Sequence, residues 1–333
     1  MNHLVSRLTF LLGCFAMLMV LPGCPVNLNR VPGDTDKLKD PQTGGEYYLY
    51  VPSWHNNDQK WPVIVTCQGT EPYDTAWSQI HEWRRLAEQF GILVVAPKLQ
   101  ASDSARTISP EDQIRRQRHD EQVILSTLQR TITSLNGDPN RVFLVGWSGG
   151  GYDVYYTGLR HPEIFRAIAV RMGLFDEKFL PDVKNRIDVH QPVFIFLAAE
   201  DFPVINTQCR KAHQWLLDQG MKRVTLREIP GAHERKPEVP FRYLKDAMEQ
   251  YSFVRLNAIK GIGGHPLTVQ FYAHVDPKPT AVVWEFGDQK FSNEISPRHR
   301  YDKPGLYEVK VTVVTHNTAK TERKILVDLA DNQ

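Results

Sequence analysis

The 333-residue chain has only four cysteines, no run of basic side chains, and no apolar stretch long enough to span a membrane. Each shortage removes a class of protein. Cys14 and Cys24 fall in the apolar N-terminal region, so the body of the chain keeps Cys67 and Cys209, and a disulfide framework is excluded. One bridge or two buried free thiols both stay open, because sequence does not give the Cα separation. Forty basic against thirty-eight acidic side chains give a formal charge of +2, with no basic stripe to track a phosphate backbone, so nucleic acid is not an expected partner. The histidines are scattered, with no His-Glu-x-x-His and no paired Cys-x-x-Cys, so neither a metal site nor a cofactor is expected. What remains is an ordinary globular composition, 41% hydrophobic and 23% charged, at a length that fits two domains.

Arg7 precedes an apolar stretch from Leu8 to Leu21, suited to a signal peptide and short of the roughly 20 residues that cross a bilayer. It closes on Leu21-Pro22-Gly23-Cys24, which resembles the lipobox of bacterial lipoproteins. That resemblance implies cleavage after residue 23, acylation of Cys24, and a protein exported and held to a membrane by its lipid, in the periplasm or at the cell surface. Residues 24–45, with Pro25, Pro32, Gly33 and Pro41, read as a tether.

From Glu46 the pattern alternates between strands and helices. Tyr47 to Val51, Val63 to Cys67 and Ile92 to Ala96 read as strands; Ala76 to Phe90 reads as a helix with Ile80, Trp83, Leu86, Ala87 and Phe90 on one face and Gly91 at its cap. Glu111 to Leu135 repeats the helical period, and Val142 to Val145 and Val193 to Leu197 are short apolar runs of the kind covered on both faces. The expectation is a three-layer α/β domain with a mainly parallel sheet over 46–253. Beyond Tyr251 the alternation is strict (Leu267, Val269, Phe271, Ala273; Tyr307, Val309, Val311, Val313), which predicts a β-sandwich over 255–330.

Val142-Phe143-Leu144-Val145 runs directly into Gly146-Trp147-Ser148-Gly149-Gly150. Gly-x-Ser-x-Gly at the end of a buried strand is the nucleophile elbow: the serine takes a strained turn, and the glycines let strand and helix approach. Ser148 is the candidate nucleophile, and the N–H of Gly149 is placed to meet a developing oxyanion. A serine hydroxyl needs a base to take its proton, so a histidine is expected downstream.

Residues 46 to 250 resemble α/β-hydrolase esterases of the polyhydroxybutyrate depolymerase and feruloyl esterase type, and more loosely the catalytic domains of prolyl oligopeptidases. The resemblance is carried by Tyr47-Tyr48-Leu49-Tyr50-Val51-Pro52, by Asp138-Pro139-Asn140-Arg141-Val142 ahead of the elbow, and by His161-Pro162-Glu163-Ile164-Phe165 after it. It implies a triad in the order Ser, acid, His. His233, in Ile229-Pro230-Gly231-Ala232-His233, looks like the family's base, ahead of His161, His190 and His213. Asp201, in Ala198-Ala199-Glu200-Asp201, looks like the acid, ahead of Glu200, Asp176, Asp182 and Asp188. Where the family commonly has His-Gly, this chain has Gln68-Gly69-Thr70, so the second oxyanion donor falls to the N–H of Thr70, with Gly69 as alternate. Tyr73, Trp77, Trp147, Tyr152 and Phe202 are candidates for a pocket or for packing.

Trp284-Glu285-Phe286-Gly287-Asp288, followed by His299-Arg300-Tyr301-Asp302-Lys303-Pro304-Gly305, resembles the PKD domain, an immunoglobulin-like module that implies attachment to polysaccharide or protein rather than chemistry. Asp288 reads as a turn former before a calcium ligand. The function expected from all this is that of an exported serine hydrolase cleaving carboxylic esters on a polymer or its fragments. A prolyl oligopeptidase-type peptidase and a non-enzymatic adhesion protein are the alternatives. The first would normally carry a large propeller, and the second would be expected to have lost one of Ser148, Asp201 and His233.

Overall fold

A computed structural model describes residues 35–103, 108–316 and 320–330. The signal peptide and Cys24 lie outside the described residues. No helix among the described residues is long and apolar enough to cross a membrane.

The first module is one eight-stranded sheet, in the order β1-β2-β4-β3-β5-β6-β7-β8. Its strands are β1 (Thr35–Lys39), β2 (Glu46–Tyr50), β3 (Trp61–Cys67), β4 (Leu93–Pro97), β5 (Gly137–Trp147), β6 (Ala167–Arg171), β7 (Val193–Ala198) and β8 (Val224–Ile229). The first two pair antiparallel, and everything from β4 to β8 is parallel. Every residue of β4, β6 and β7 is buried, which is why these strands read as unbroken apolar runs.

Helix α1 (Ala76–Phe90) is set at its start by Thr75, whose side chain accepts the Ser78 N–H, and at its end by Gly91 at φ 67. Helix α2 (Pro110–Ser134) starts from Ser109 in the same way, with Pro110 in its first turn. Caps of this kind contribute about 1 kcal/mol each. The segment after the elbow is irregular: a single 3₁₀ turn over Ser148–Gly150, then α3 (Gly151–Asp153), then a π-helical turn over Val154–Gly158. Helices α4 (Pro203–Asp218) and α5 (Glu238–Gln250) complete the layers.

One boundary differs from expectation. Thr35–Lys39, placed in the tether, is the edge strand β1, which pairs with β2 from Thr35↔Tyr50 to Lys39↔Glu46. Its order comes from main-chain bonds and from Lys37 against Glu46 at 3.1 Å, and with Leu38 as its only large apolar side chain it carries no periodic signal. The first strand of the sandwich, β9 (Phe253–Lys260), starts at the expected boundary of 253–255 and pairs along its whole length with β10 (Thr268–Asp276).

The second module holds two antiparallel sheets. One is β13-β10-β9, and the other is β12-β11-β14-β15, where β11 is Ala281–Glu285, β12 Phe291–Ser292, β13 Arg298–Arg300, β14 Leu306–Val314 and β15 Lys320–Asp328. Trp284, Phe271, Phe286 and Tyr301 fill the space between them. His299 stacks flat on Phe286 at 4.0 Å and bonds Asp288 at 2.8 Å, so this carboxylate is taken up in the fold.

The modules meet through arginines at the N-terminal ends of the parallel strands. Arg166, one residue before β6, pairs with Asp276 and donates to the carbonyls of Met248 and Tyr251 at 2.9 and 3.1 Å. Arg223, one residue before β8, donates to the Lys320 carbonyl at 2.8 Å and to the Thr321 hydroxyl at 2.9 Å. Arg255 reaches Asn140 at 2.7 Å, and Arg323 pairs with Asp188.

Candidate active site

The opposite, C-terminal ends of the strands carry the predicted residues. Ser148 follows β5, Asp201 lies three residues beyond β7, and His233 lies four beyond β8. In open α/β sheets this is the end at which ligands bind.

Ser148 has φ 52, the left-handed region that a non-glycine residue enters at a cost of order 1–3 kcal/mol. The turn is held by close approach: a Cβ on Gly146 would lie 2.5 Å from the Gly150 carbonyl oxygen, and one on Gly150 would lie 2.5 Å from that of Gln68. Any larger side chain would push the helix off the strand. Gly149 is the second residue of the first helical turn, where main-chain N–H groups lack an intrahelical acceptor.

His233 Nδ1 lies 2.9 Å from both oxygens of Asp201, whose side chain is fully buried. Asp201 Oδ1 also accepts the Phe202 N–H at 2.6 Å. With Nδ1 committed, Nε2 is the nitrogen left to take a proton. The ring lies over Trp147, the residue before the nucleophile, at 4.7 Å, with Phe202 at 5.6 Å. Among the described residues no hydrogen bond joins His233 to the Ser148 hydroxyl, and in ligand-free sites such bonds are commonly long.

The rival residues are engaged elsewhere. His161 sits between Glu121 at 2.9 Å and Glu163 at 3.1 Å; burial alone would lower its pKa, yet these two carboxylates push it up to about 9. His190 is buried at the module interface and His213 lies on α4, and burial pulls both down. Glu200 is exposed. Of the aromatic candidates, Trp147 is buried, Tyr152 packs on Phe179 at 5.4 Å, and Tyr73, Trp77 and Phe202 are exposed.

The turn after β3 corrects one assignment. The Gly69 N–H already donates to Asp74 Oδ2 at 2.7 Å, so Gly69 is not an oxyanion donor. Thr70 is fixed by its hydroxyl, which donates to the Ser102 carbonyl at 3.0 Å. A Cβ on Gly149 would lie 2.8 Å from that hydroxyl oxygen, so the Thr70 turn and the elbow are in contact.

Sequence reading missed the network behind this turn. Fully buried Asp74 also accepts from Gln79 Nε2 at 2.6 Å and pairs with Arg235 at 2.9 Å. Arg235 lies two residues past His233, and its guanidinium is 5.0 Å from the centre of the Trp147 ring. Its carbonyl accepts from the buried Arg171, which pairs with Glu82 and donates to Gln79. The one available signal was an arginine at the end of an apolar strand, Arg171 in β6, since a buried charge requires partners.

The eight-stranded sheet and the elbow define an α/β-hydrolase fold, joined to an immunoglobulin-like sandwich. Residues 46–233 match the dienelactone hydrolase family, more than half of the chain, and the chain belongs to that family. Residues 260–327 match the PKD domain. A probable acetylxylan esterase A of Neosartorya fischeri is 28% identical over 174 residues, 50% of this chain and 46% of that protein. A feruloyl esterase B of Thermothelomyces thermophilus is 26% identical over 142 residues, 42% of this chain and 48% of that protein. The chain therefore spans about half the length of these relatives. A solved ferulic acid esterase from the anaerobic fungus Anaeromyces mucronatus shares the fold at TM-score 0.51 and 13% identity, covering 63% of this chain and 87% of the other.

Proposed function

We propose that the chain is a serine hydrolase that cleaves carboxylic esters through an acyl-enzyme on Ser148. The observation that carries this reading is a strained serine at the end of β5 beside a histidine whose Nδ1 is held by a buried carboxylate at 2.9 Å. In the first step Ser148 Oγ attacks the acyl carbon while His233 Nε2 takes the hydroxyl proton. Asp201 fixes the tautomer and stabilises the imidazolium. The oxyanion is met by the Gly149 N–H, with the Thr70 turn beside it. His233 then gives its proton to the departing alcohol. Water, deprotonated by the same nitrogen, releases the acid and restores Ser148.

The substrate we propose is an ester-bearing extracellular polymer or its fragments, in line with relatives named as acetylxylan and feruloyl esterases. We further propose export and anchoring through an acylated Cys24, on the basis of the N-terminal sequence. A fluorophosphonate probe should label the wild-type protein and leave Ser148→Ala unlabelled, and a small soluble acetyl ester should be hydrolysed by the first alone. Undiminished hydrolysis by Ser148→Ala would overturn the mechanism. For the anchor, Cys24→Ser should move the protein out of the detergent phase.

A further inference from the structure

Two residues touch the nucleophile turn from the outside: the Ser102 carbonyl and the Thr70 hydroxyl, which lie 2.2 and 2.8 Å from where a Cβ on Gly149 would stand. The next residue along each segment, Asp103 and Glu71, enters a cavity of about 570 Å³ bounded on its far side by the first turns of α2. Glu71 and Lys98 also line a second cavity of about 570 Å³, which continues to Trp77 at the start of α1. The two share Glu71 and Lys98 and so form one channel on the surface, its nearer end one residue along the chain from Thr70 and Ser102.

The channel has two chemical features. The first is cationic. Lys98 is exposed and has no ion-pair partner among the described residues, and Arg116 reaches only the Gln100 carbonyl, at 3.3 Å. Arg115 and His119 line the same cavity but are engaged by Asp112 and Asp120. The second is aromatic. Trp77 is 44% exposed, and its ring is fixed edge-on by His81 at 4.2 Å and tilted against Tyr48 at 5.3 Å. An indole held this way is a flat apolar platform with little entropy left to lose on binding.

We propose that this channel binds an acidic polysaccharide: pyranose rings bearing carboxylates, one ring face on Trp77 and the carboxylates on Lys98 and Arg116. A neutral glycan would leave both cations without partners. A nucleic acid or polyphosphate would bring dense charge against Glu71, which lines both cavities, whereas one carboxylate per sugar spaces its charges to avoid it. The proposal adds a substrate class to the ester hydrolase reading and rests on it for the location of the reacting ester. Binding itself can be measured apart from turnover.

The test uses the full chain carrying Ser148→Ala, in affinity electrophoresis through gels containing polygalacturonate or its carboxyl-reduced product. The acidic polymer should be bound about tenfold more tightly than the reduced one, as two exposed ion pairs would give. Lys98→Ala combined with Arg116→Ala should abolish that difference, and Trp77→Ala should weaken binding to both polymers. Equal retardation by the two polymers would overturn the proposal, with wild-type sequence at all three positions. So would retardation by a polyphosphate that matches polygalacturonate and ignores Trp77→Ala. Hydrolysis of a small acetyl ester by the wild-type protein, lost in Ser148→Ala, checks the ester hydrolase reading separately, so each can fail alone.

Discussion

Asp74 and Arg235 form an ion pair at 2.9 Å that ties the turn after β3 to the loop carrying His233. The other oxygen of Asp74 holds the Gly69 N–H at 2.7 Å, so the same carboxylate sets the path of the chain into Thr70. The proposed oxyanion side and base side of the site are thus tied to each other through the Asp74 carboxylate, with Arg235 over the Trp147 ring.

Arg235→Ala should cut kcat for a small ester on the order of tenfold while KM moves little, because what is lost is alignment rather than substrate contact. Arg235→Lys should recover part of the loss. The Asp74→Asn, Arg235→Ala pair should be less damaging than the product of the single effects, since both remove one tie. Steady-state kinetics with a parallel melting curve decide it: an unchanged kcat in folded Arg235→Ala would show the pair to be a stability contact only.

Ser148→Ala and His233→Ala should each cost on the order of 10⁴-fold in turnover, and the double variant little more, because the residues act as a unit. Asp201→Asn should approach the same loss through the wrong tautomer, while exposed Glu200→Gln should be nearly silent. The reverse ranking of Glu200 and Asp201 would move the acid by one residue and leave the fold untouched.

The pKa of His161, pushed up to about 9 by Glu121 and Glu163 against the opposing effect of burial, links stability to pH. Its folded value lies above the unfolded value of about 6.5. The stabilisation is therefore complete below pH about 6.5 and is lost as pH rises through about 9. Melting temperatures taken across that window should fall in the wild-type protein and fall less in His161→Gln. Parallel curves would mean that the Glu121 contact does not favour the charged ring.

Arg223→Ala should lower unfolding free energy by about 1–3 kcal/mol, through loss of the bonds to Lys320 and Thr321 and the 4.3 Å stacking on Tyr251. Turnover of a small ester per folded molecule should be unchanged, because Arg223 precedes β8 and the proposed base follows it. Denaturant titration with activity measured at each point checks both halves. A selective loss of activity would mean that the sandwich acts on the site.

Local signals made much of this molecule legible. Gly146-Trp147-Ser148-Gly149-Gly150 after a buried run placed the elbow, and the resemblance to α/β-hydrolase esterases singled out Asp201 and His233, which the structure brings together. Trp284 and Phe286, which alternate with Glu285 and Gly287 in the sequence, are both buried. The misses are the features that depend on residues far apart in sequence. β1 owes its order to main-chain pairing with β2, not to its own side chains. The N–H of Gly69 is consumed by a carboxylate five residues on, a contact that depends on how the turn is wound. Arg235 meets Asp74 only because β8 and β3 end at the same rim of the sheet, and no spacing in the chain encodes that.

The sandwich grips the open sheet at one rim while Ser148, the proposed nucleophile, stands at the other, with the full length of the parallel strands in between. Because that grip is made by arginines clamped to carbonyls and carboxylates on both sides, the sandwich forms a handle on the rim opposite Ser148. A glycan or protein held on the free faces of the handle would stand behind the rim that carries Ser148, and under the proposed function the esters within reach would be those on material lying ahead of that rim.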